Sequence, residues 1–218
     1  MLKFNYRALF RRRGEDEGKL RRRQTSSTVM SHRVFIAINL PEETKKQLSL
    51  YRVKWPELPC RWTKKENIHI TLVFLGYVKD EELPEILEAV KTAALKNKPF
   101  SINLNKICYG PTDKKPARMV WAEGEKSNKL AKLQTDLENA LQGETSNFKG
   151  EGRAFAPHIT LGRLKSWEFK TLEPEEKPEI SEEISLSFEV NSIEIMESKL
   201  KPQGPDYFAL ESLALDSK

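Results

Sequence analysis

The tetrapeptide His-Ile-Thr-Leu occurs twice in this chain, at His69–Leu72 and again at His158–Leu161. Each copy lies in an apolar stretch, Ile68–Val78 or His158–Leu164, of the kind that is typical of a buried strand. Residues i and i+2 of a strand point to the same face of the sheet. Each copy therefore places its histidine and threonine on one face, and its isoleucine and leucine on the other, toward a core.

The sequence around the two copies follows a common plan. Their histidines are 89 residues apart (69 and 158), each copy is preceded by a predicted strand, and a helix lies between the copies. This arrangement indicates an internal duplication. Strands and helices do not alternate strictly, which favours antiparallel pairing. We predict an α+β fold that is a bilobal, pseudo-twofold duplication: two antiparallel sheets with helices packed outside and a central cleft.

The other predicted elements come from apolar periodicity. Further strands are predicted at Val34–Leu40, Phe100–Cys108, Arg118–Glu123, Leu186–Glu197 and Tyr207–Leu215. Helices are predicted at about 42–55, 80–96 and 127–141, the last with Ser127 as its cap. The Glu-rich stretch 166–183 predicts a solvated loop, and a change of strand phase at 191–193 predicts a β-bulge.

The basic charge of the chain is concentrated at its N-terminus. Residues 1–30 contain nine Lys or Arg and three Asp or Glu, a charge of +6, whereas the whole chain carries +5. Residues 31–218 therefore sum to −1. This balance excludes a nucleic-acid clamp spread over the whole fold, which would need basic residues across its surface. Any recognition of RNA should instead be local, at an end or a single nucleotide.

Residues 1–29 have three interpretations: an RNA-tethering arm, a targeting peptide, or upstream sequence read in frame with Met30 as the true start. The three consecutive acids Glu15–Glu17 argue against a targeting peptide. We favour the third interpretation because the first strand pattern begins four residues after Met30. In every case we expect residues 1–29 to be a disordered basic extension, and residues 30–218 to form a single bilobal domain.

Composition also bears on metal, membrane and redox chemistry. Apolar runs such as Val34–Ile38 are far shorter than a membrane span. With three histidines and no metal-binding spacing, no metal site or other cofactor is expected. The only cysteines, Cys60 and Cys108, predict reduced thiols in a cytoplasmic protein, which we expect to be a monomer. His32, beside the expected start, is predicted to be a surface residue.

Two His-x-Thr pairs around one small space suit hydrolysis or transesterification of a phosphodiester. One imidazole can take a proton from the attacking group while the other gives a proton to the departing oxygen. An unperturbed pKa of about 6.5 lets both protonation states coexist near neutrality. Thr71 and Thr160 can donate to phosphate oxygens, and Arg163 adds a planar cation that suits phosphate. Arg163 lies five residues after His158, so it needs a bend near Gly162 to reach the same face.

These residues and their surroundings resemble the 2H phosphoesterase superfamily, specifically the bacterial and archaeal RNA 2′,3′-cyclic phosphodiesterases, also called LigT-like 2′-5′ RNA ligases. The resemblance covers about 30–215, and residues 1–29 have no counterpart. The segments that carry it are Val34–Pro41, Arg61–Trp62, His69–Gly76 (HITLVFLG), Phe155–Arg163 (FAPHITLGR), Glu197–Leu200 and Gly204–Tyr207.

The resemblance implies a bilobal α+β fold and metal-independent hydrolysis of a terminal 2′,3′-cyclic phosphate to a 2′-phosphomonoester. It also implies that His69 is the proton donor to the leaving 3′-oxygen and that His158 is the proton acceptor that activates water. Thr71, Thr160 and Arg163 would bind the substrate phosphate. The implied partners are RNA ends, or small cyclic nucleotides, that carry a 2′,3′-cyclic phosphate.

Several alternatives stay open at this point. Ligation of 2′-5′ RNA ends, or hydrolysis of 2′-5′-linked oligonucleotides, would use the same catalytic set, because substrate choice lies in loops. A non-catalytic RNA-end binder would rely on the basic N-terminal segment, and a metal-dependent phosphodiesterase is a third class. Trp62, Phe155 and Tyr207 are candidates for stacking on a base. Such aromatic residues are more often core residues, so we leave them outside the predicted site.

Overall fold

The computed structural model describes residues 31–111, 116–144, 148 and 157–216. The basic segment 1–29, Met30 and the stacking candidate Phe155 lie outside the described residues. The expectations for residues 1–29 therefore stay predictions.

The described residues form nine strands and four α-helices. The strands are β1 (Ser31–Asn39), β2 (Cys60–Trp62), β3 (His69–Lys79), β4 (Phe100–Gly110), β5 (Met119–Gly124), β6 (His158–Leu164), β7 (Ser181–Val190), β8 (Ser192–Lys201) and β9 (Gly204–Ala214). The helices are α1 (Glu42–Leu50), α2 (Leu83–Leu95), α3 (Asn128–Glu144) and α4 (Ser166–Thr171), with short 3₁₀ turns at Tyr51–Lys54, Lys65–Asn67 and Pro174–Glu176.

The sheet has two halves that meet at the repeated tetrapeptides. Its strand order is β7-β4-β5-β6-β3-β1-β8-β9, with β2 also paired to β6, and every pairing is antiparallel. The central strands β3 and β6 pair through Ile70 and Ile159, the same position of the two copies. The α+β duplication is confirmed, and the two antiparallel sheets are the halves of one continuous sheet, because backbone pairing extends across the centre.

The chain crosses from one half of the sheet to the other at Asn191. This residue alone separates β7, at the outer edge of one half, from β8, an inner strand of the other half. A one-residue connection requires the two halves to curve toward each other at this end. The carbonyl of Asn191 accepts a hydrogen bond from the Leu215 amide at 2.8 Å. The prediction of one bulged strand across 191–193 is wrong, because the change of phase marks the change of half.

The core lies on the face of the sheet that the isoleucines and leucines of the tetrapeptides occupy. Ile70 and Ile159 are fully buried, and so are the four leucines of the α3 stripe, Leu130, Leu133, Leu137 and Leu141. Ser127 caps α3 as predicted, because its hydroxyl oxygen accepts a hydrogen bond from the Leu130 amide at 3.2 Å. With the apolar residues of both tetrapeptides held in this core, the histidines and threonines face the opposite side.

Two expectations about surface segments are corrected. The stretch predicted to be a loop contains α4, because Phe169 is buried and packs beside Tyr109 with ring centroids 5.5 Å apart. His32 is 6% exposed and not a surface residue. It lies in β1, which begins closer to the N-terminus than predicted and is an inner strand, between β3 and β8.

No helix in the described ranges is long and apolar enough to span a bilayer.

Candidate active site

A cavity of about 520 Å³ opens where the two halves of the sheet meet. All five residues predicted for the site line it: His69, Thr71, His158, Thr160 and Arg163. The two His-x-Thr pairs therefore converge on one space, as their strand geometry and the duplication indicated.

Each tetrapeptide contains a β-bulge at its final leucine. In the pairing of β3 with β1, Leu72 is the extra residue opposite the Ile36–Ala37 step. In the pairing of β6 with β5, Leu161 is the extra residue opposite the Val120–Trp121 step. A bulge adds one residue to a strand and so shifts the faces of the residues that follow it. The two bulges occupy the same position in both copies, which is further evidence of the duplication.

The bulges bring the fifth residue after each histidine into the cavity. In the second copy this residue is Arg163, so the bend expected near Gly162 is present one residue earlier. In the first copy it is Phe74, whose side chain is 58% exposed and also lines the cavity. Gly162 is required because a Cβ there would lie 2.4 Å from the Cys60 sulfur on the neighbouring β2.

His69 is oriented by a backbone carbonyl and by its own threonine. Its Nδ1 lies 2.7 Å from the carbonyl oxygen of Asn67, and because a carbonyl only accepts, Nδ1 carries a proton. Its Nε2 lies 2.9 Å from the hydroxyl of Thr71. Burial lowers the pKa of His69 below its ordinary value, and the positive charge of Lys45 adds to this effect. Nε2 is therefore the atom that can exchange a proton with a ligand.

His158 has a different environment from His69. Its ring stacks on the indole of Trp121, with centroids 3.8 Å apart and planes inclined by 23°. In the β5–β6 ladder His158 lies opposite Glu123, and Thr160 lies opposite Trp121. The two histidines thus occupy equivalent positions of the duplication, but their ring contacts differ.

The cavity favours an anion. Its described lining residues include four cationic side chains and no Asp or Glu; the cations are Arg33, Arg61, Lys64 and Arg163. Local recognition of phosphate is therefore compatible with a folded region that is close to neutral overall. No group of three or more His, Cys, Asp or Glu side chains in the described part of the chain is arranged to hold a metal ion.

Several lining residues were not predicted as site residues. Arg33, Lys64 and Phe74 belong to no motif of their own. The position of Phe74 could have been found, because it is equivalent to Arg163: each lies five residues after the histidine of its tetrapeptide. Trp62 and Tyr207, which we considered for base stacking, do line the cavity. Tyr207 also packs against His69, with ring centroids 5.3 Å apart, so it belongs to the wall around that histidine.

Comparison with known proteins agrees with the duplicated geometry. Residues 38–121 and 122–207 each match the family described as LigT like Phosphoesterase, one match for each half of the chain. A Thermotoga maritima protein named RNA 2′,3′-cyclic phosphodiesterase is 32% identical over 183 residues, which cover 82% of this chain and 92% of that protein. A Thermus thermophilus protein of the same name is 33% identical, over 84% of this chain and 90% of its own length.

Solved structures show the same fold. The crystal structure of TT0787 from Thermus thermophilus has a TM-score of 0.73 at 28% identity and covers 84% of this chain and 98% of that one. The structure of Escherichia coli LigT complexed with 3′-AMP has a TM-score of 0.68 at 25% identity and covers 85% and 99%. By its two converging His-x-Thr strands and by these matches over both halves, the chain belongs to the LigT-like phosphoesterase family of the 2H superfamily.

Proposed function

We propose that this chain hydrolyses RNA 2′,3′-cyclic phosphodiesters to 2′-phosphomonoesters, with His69 as proton donor and His158 as proton acceptor. The observation that carries the proposal is the convergence of two His-x-Thr pairs on one anion-favouring cavity. The curated relatives that this chain matches are named RNA 2′,3′-cyclic phosphodiesterase. We expect the enzyme to need no metal or other cofactor.

The proposed reaction uses the two imidazoles as an acid–base pair. Water attacks phosphorus, the bond between phosphorus and the 3′-oxygen breaks, and the phosphate stays on the 2′-oxygen. The imidazole of His158 takes the proton that the attacking water loses, and Nε2 of His69 gives its proton to the departing 3′-oxygen. Before the next turnover, His158 must lose its proton to solvent and His69 must take one up from solvent.

The threonine hydroxyls and the arginine hold the phosphate. When His69 is neutral, Nε2 accepts the hydroxyl proton of Thr71 at 2.9 Å. When His69 is protonated, Nε2 is itself a donor, and the Thr71 hydroxyl is released to donate to a phosphate oxygen. Thr160 and Arg163 line the opposite half of the cavity and would stabilise the charge that grows on the non-bridging oxygens.

The cavity accommodates more than a phosphate group. Its volume of about 520 Å³ leaves room for a nucleoside, and Trp62, Phe74 and Tyr207 supply aromatic surface beside the phosphate site. We therefore propose RNA ends or nucleotides with a 2′,3′-cyclic phosphate as substrates. The cytoplasmic location and the monomeric state expected from the sequence stay predictions.

A substrate panel tests this function. Purified protein, with and without EDTA, would be incubated with 2′,3′-cyclic nucleotides, with cyclic-phosphate-ended RNA and with 2′-5′-linked oligonucleotides. Phosphorus NMR then identifies the product. We expect 2′-phosphomonoesters, formed equally fast in EDTA. A 3′-phosphate product, or turnover of the 2′-5′ oligonucleotides alone, would overturn the proposal. Adding RNA with a 5′-hydroxyl to the same reaction reveals whether the chain also joins ends through 2′-5′ linkages.

A further inference from the structure

The indole of Trp121 contacts His158 from behind the cavity. The two rings are stacked face to face, with centroids 3.8 Å apart. Trp121 is 8% exposed and is not among the residues that line the cavity, whereas His158 is. A substrate in the cavity would therefore contact His158, and Trp121 would act on the reaction only through that histidine.

The indole also packs against the backbone of β4. A Cβ on Gly110 would lie 2.2 Å from Cδ2 of Trp121 and 2.5 Å from Cε3, so the ring packs directly against this glycine. Nε1 of Trp121 is buried and makes no hydrogen bond to any described residue. The described contacts of the ring are therefore with the Gly110 backbone and with the imidazole of His158.

Among the described residues, no ring is stacked on the first histidine as Trp121 is stacked on His158. Trp121 lies opposite Thr160 in the β5–β6 ladder, and the residue opposite Thr71 in the β1–β3 ladder is Ala37. The rings near His69 are instead those of Phe35, tilted by 39° at 5.1 Å, and Tyr207, at 89° and 5.3 Å. The two halves therefore differ at this position, where Trp121 lies opposite Thr160 and Ala37 lies opposite Thr71.

We infer that Trp121 is the positioning residue that makes His158, rather than His69, the proton acceptor; this inference rests on the proposed function. The face of an indole attracts a cation. When His158 takes the proton of water it becomes an imidazolium, and the indole face stabilises that form and fixes the plane of the ring. No described ring is stacked face to face on His69, where Phe35 is tilted and Tyr207 is edge-on.

Two substitutions separate the aromatic face from simple packing. Trp121→Met fills much of the space with an aliphatic chain, whereas Trp121→Phe keeps an aromatic face and lacks the indole Nε1, which bonds no described residue. With a 2′,3′-cyclic nucleotide as substrate, we expect kcat to fall about tenfold in Trp121→Met, with KM within about twofold of the original. We expect Trp121→Phe to recover kcat to within about threefold. An unchanged kcat in Trp121→Met, or equal losses in both variants, would overturn the inference.

A double-mutant cycle tests whether Trp121 acts through His158. In a His158→Ala background, Trp121→Met should change the residual rate by less than about twofold. An undiminished effect of Trp121→Met in that background contradicts the inference. The proposed function fails separately: if the unsubstituted protein does not hydrolyse the cyclic nucleotide, or if His158→Ala has no effect, the function is wrong whatever Trp121 does.

Fluorinated tryptophans supply a measurement that does not depend on how a smaller side chain packs. Site-specific incorporation at position 121 of tryptophans with one to four fluorines keeps the ring shape and weakens its attraction for a cation in steps. We expect kcat to fall steadily with the number of fluorines while KM stays constant. A kcat that is independent of fluorine number would show that the indole contributes packing alone and would overturn the inference.

Discussion

Phe74 and Arg163 occupy equivalent positions of the two halves, each five residues after the histidine of its tetrapeptide, and both line the cavity. The bulges at Leu72 and Leu161 turn both side chains toward the site. The two equivalent bulges therefore place a cation, Arg163, in the cavity from β6 and an apolar ring, Phe74, from β3. A nucleotide has the same asymmetry, because its phosphate is charged and its base has an aromatic face.

Catalysis should depend on the planar shape of the Arg163 guanidinium as well as on its charge. A guanidinium can form two parallel hydrogen bonds to a phosphate, which an ammonium cannot. We expect Arg163→Ala to lower kcat/KM by roughly 10²-fold, and Arg163→Lys to recover only part of that loss. Steady-state kinetics with a cyclic nucleotide measures both. Arg52→Lys, at an exposed residue outside the cavity, is the control and should leave kcat/KM unchanged. Full activity in Arg163→Lys would show that charge alone suffices.

The pKa of His69 should rise when Lys45 loses its charge. Burial lowers the pKa of His69 most, and the nearby ammonium of the buried Lys45 lowers it further, because like charges repel the proton. Lys45→Met removes this charge and keeps the side-chain length. NMR titration of the histidine ring signals measures the change. The His69 signal is identified by its absence from the spectrum of the His69→Gln variant. We expect a higher pKa in Lys45→Met and no change in Lys46→Gln, at the exposed neighbouring residue. A lower pKa in Lys45→Met would contradict this account.

His32 should make the stability of the fold depend on pH. Its Nδ1 lies 2.7 Å from Glu197, which Lys199 also contacts at 3.2 Å, and its Nε2 lies 2.6 Å from Asp80. Burial alone would lower the pKa of His32, but the two carboxylates outweigh it and raise the pKa. The raised pKa stabilises the folded state fully below about pH 6.5, and this contribution is lost as pH rises through the folded-state value.

The substitution His32→Gln tests this dependence. Urea denaturation should show a loss of about 2 kcal/mol in the free energy of unfolding at about pH 6, and a smaller loss at about pH 9. The difference between the variant and the original protein is compared at the two pH values, so that other titrating groups cancel. A loss that is equal at both values, or larger at the higher pH, would show that the imidazolium is not the stabilising form.

Gly162 should tolerate no larger residue while Cys60 is present. A Cβ at this position would lie 2.4 Å from the Cys60 sulfur, so Gly162→Ala overpacks the contact between β2 and β6. We expect a loss of about 2 kcal/mol in the free energy of unfolding, and partial recovery in the double variant Gly162→Ala with Cys60→Ala. Gly143→Ala is the matched control, because no atom of the described residues beyond its chain neighbours and its own helix lies within 4 Å of a Cβ there, and α3 should gain up to about 1 kcal/mol. An equal loss in the single and double variants would contradict this packing argument.

Local sequence was sufficient for the features that depend on strand periodicity. The bounds of β6, the buried stripe of α3 and the shared face of each His-x-Thr pair follow from short-range patterns. The bend that brings Arg163 to the site could also be predicted, because the arginine would otherwise face the wrong side. The duplication then indicated that the two strands would meet.

Features that depend on pairing between distant segments could not be predicted in this way. His32 contacts Glu197 and Asp80, which are 165 and 48 residues away in the chain, so its burial required knowledge of the strand order. The stack of Trp121 on His158 depends on the register of β5 against β6. The change of phase at Asn191, where the chain passes from β7 to β8, was predicted to be a bulge. Apolar periodicity indicates that the buried face changes, but not that the chain has moved to a different partner strand. The expectations for residues 1–29 stay predictions.

The central claim is that His69 gives its proton to the leaving 3′-oxygen while His158 activates water. A 2′,3′-cyclic nucleotide in which sulfur replaces the bridging 3′-oxygen tests it most directly, because a thiolate leaves without needing a proton. On the oxygen substrate we expect His69→Ala and His158→Ala each to lower kcat by on the order of 10²-fold or more. On the sulfur substrate we expect His69→Ala to recover to within about tenfold of the unsubstituted enzyme, while His158→Ala stays impaired. Recovery of His158→Ala instead of His69→Ala would reverse the assignment, and recovery of neither would contradict the two-histidine mechanism.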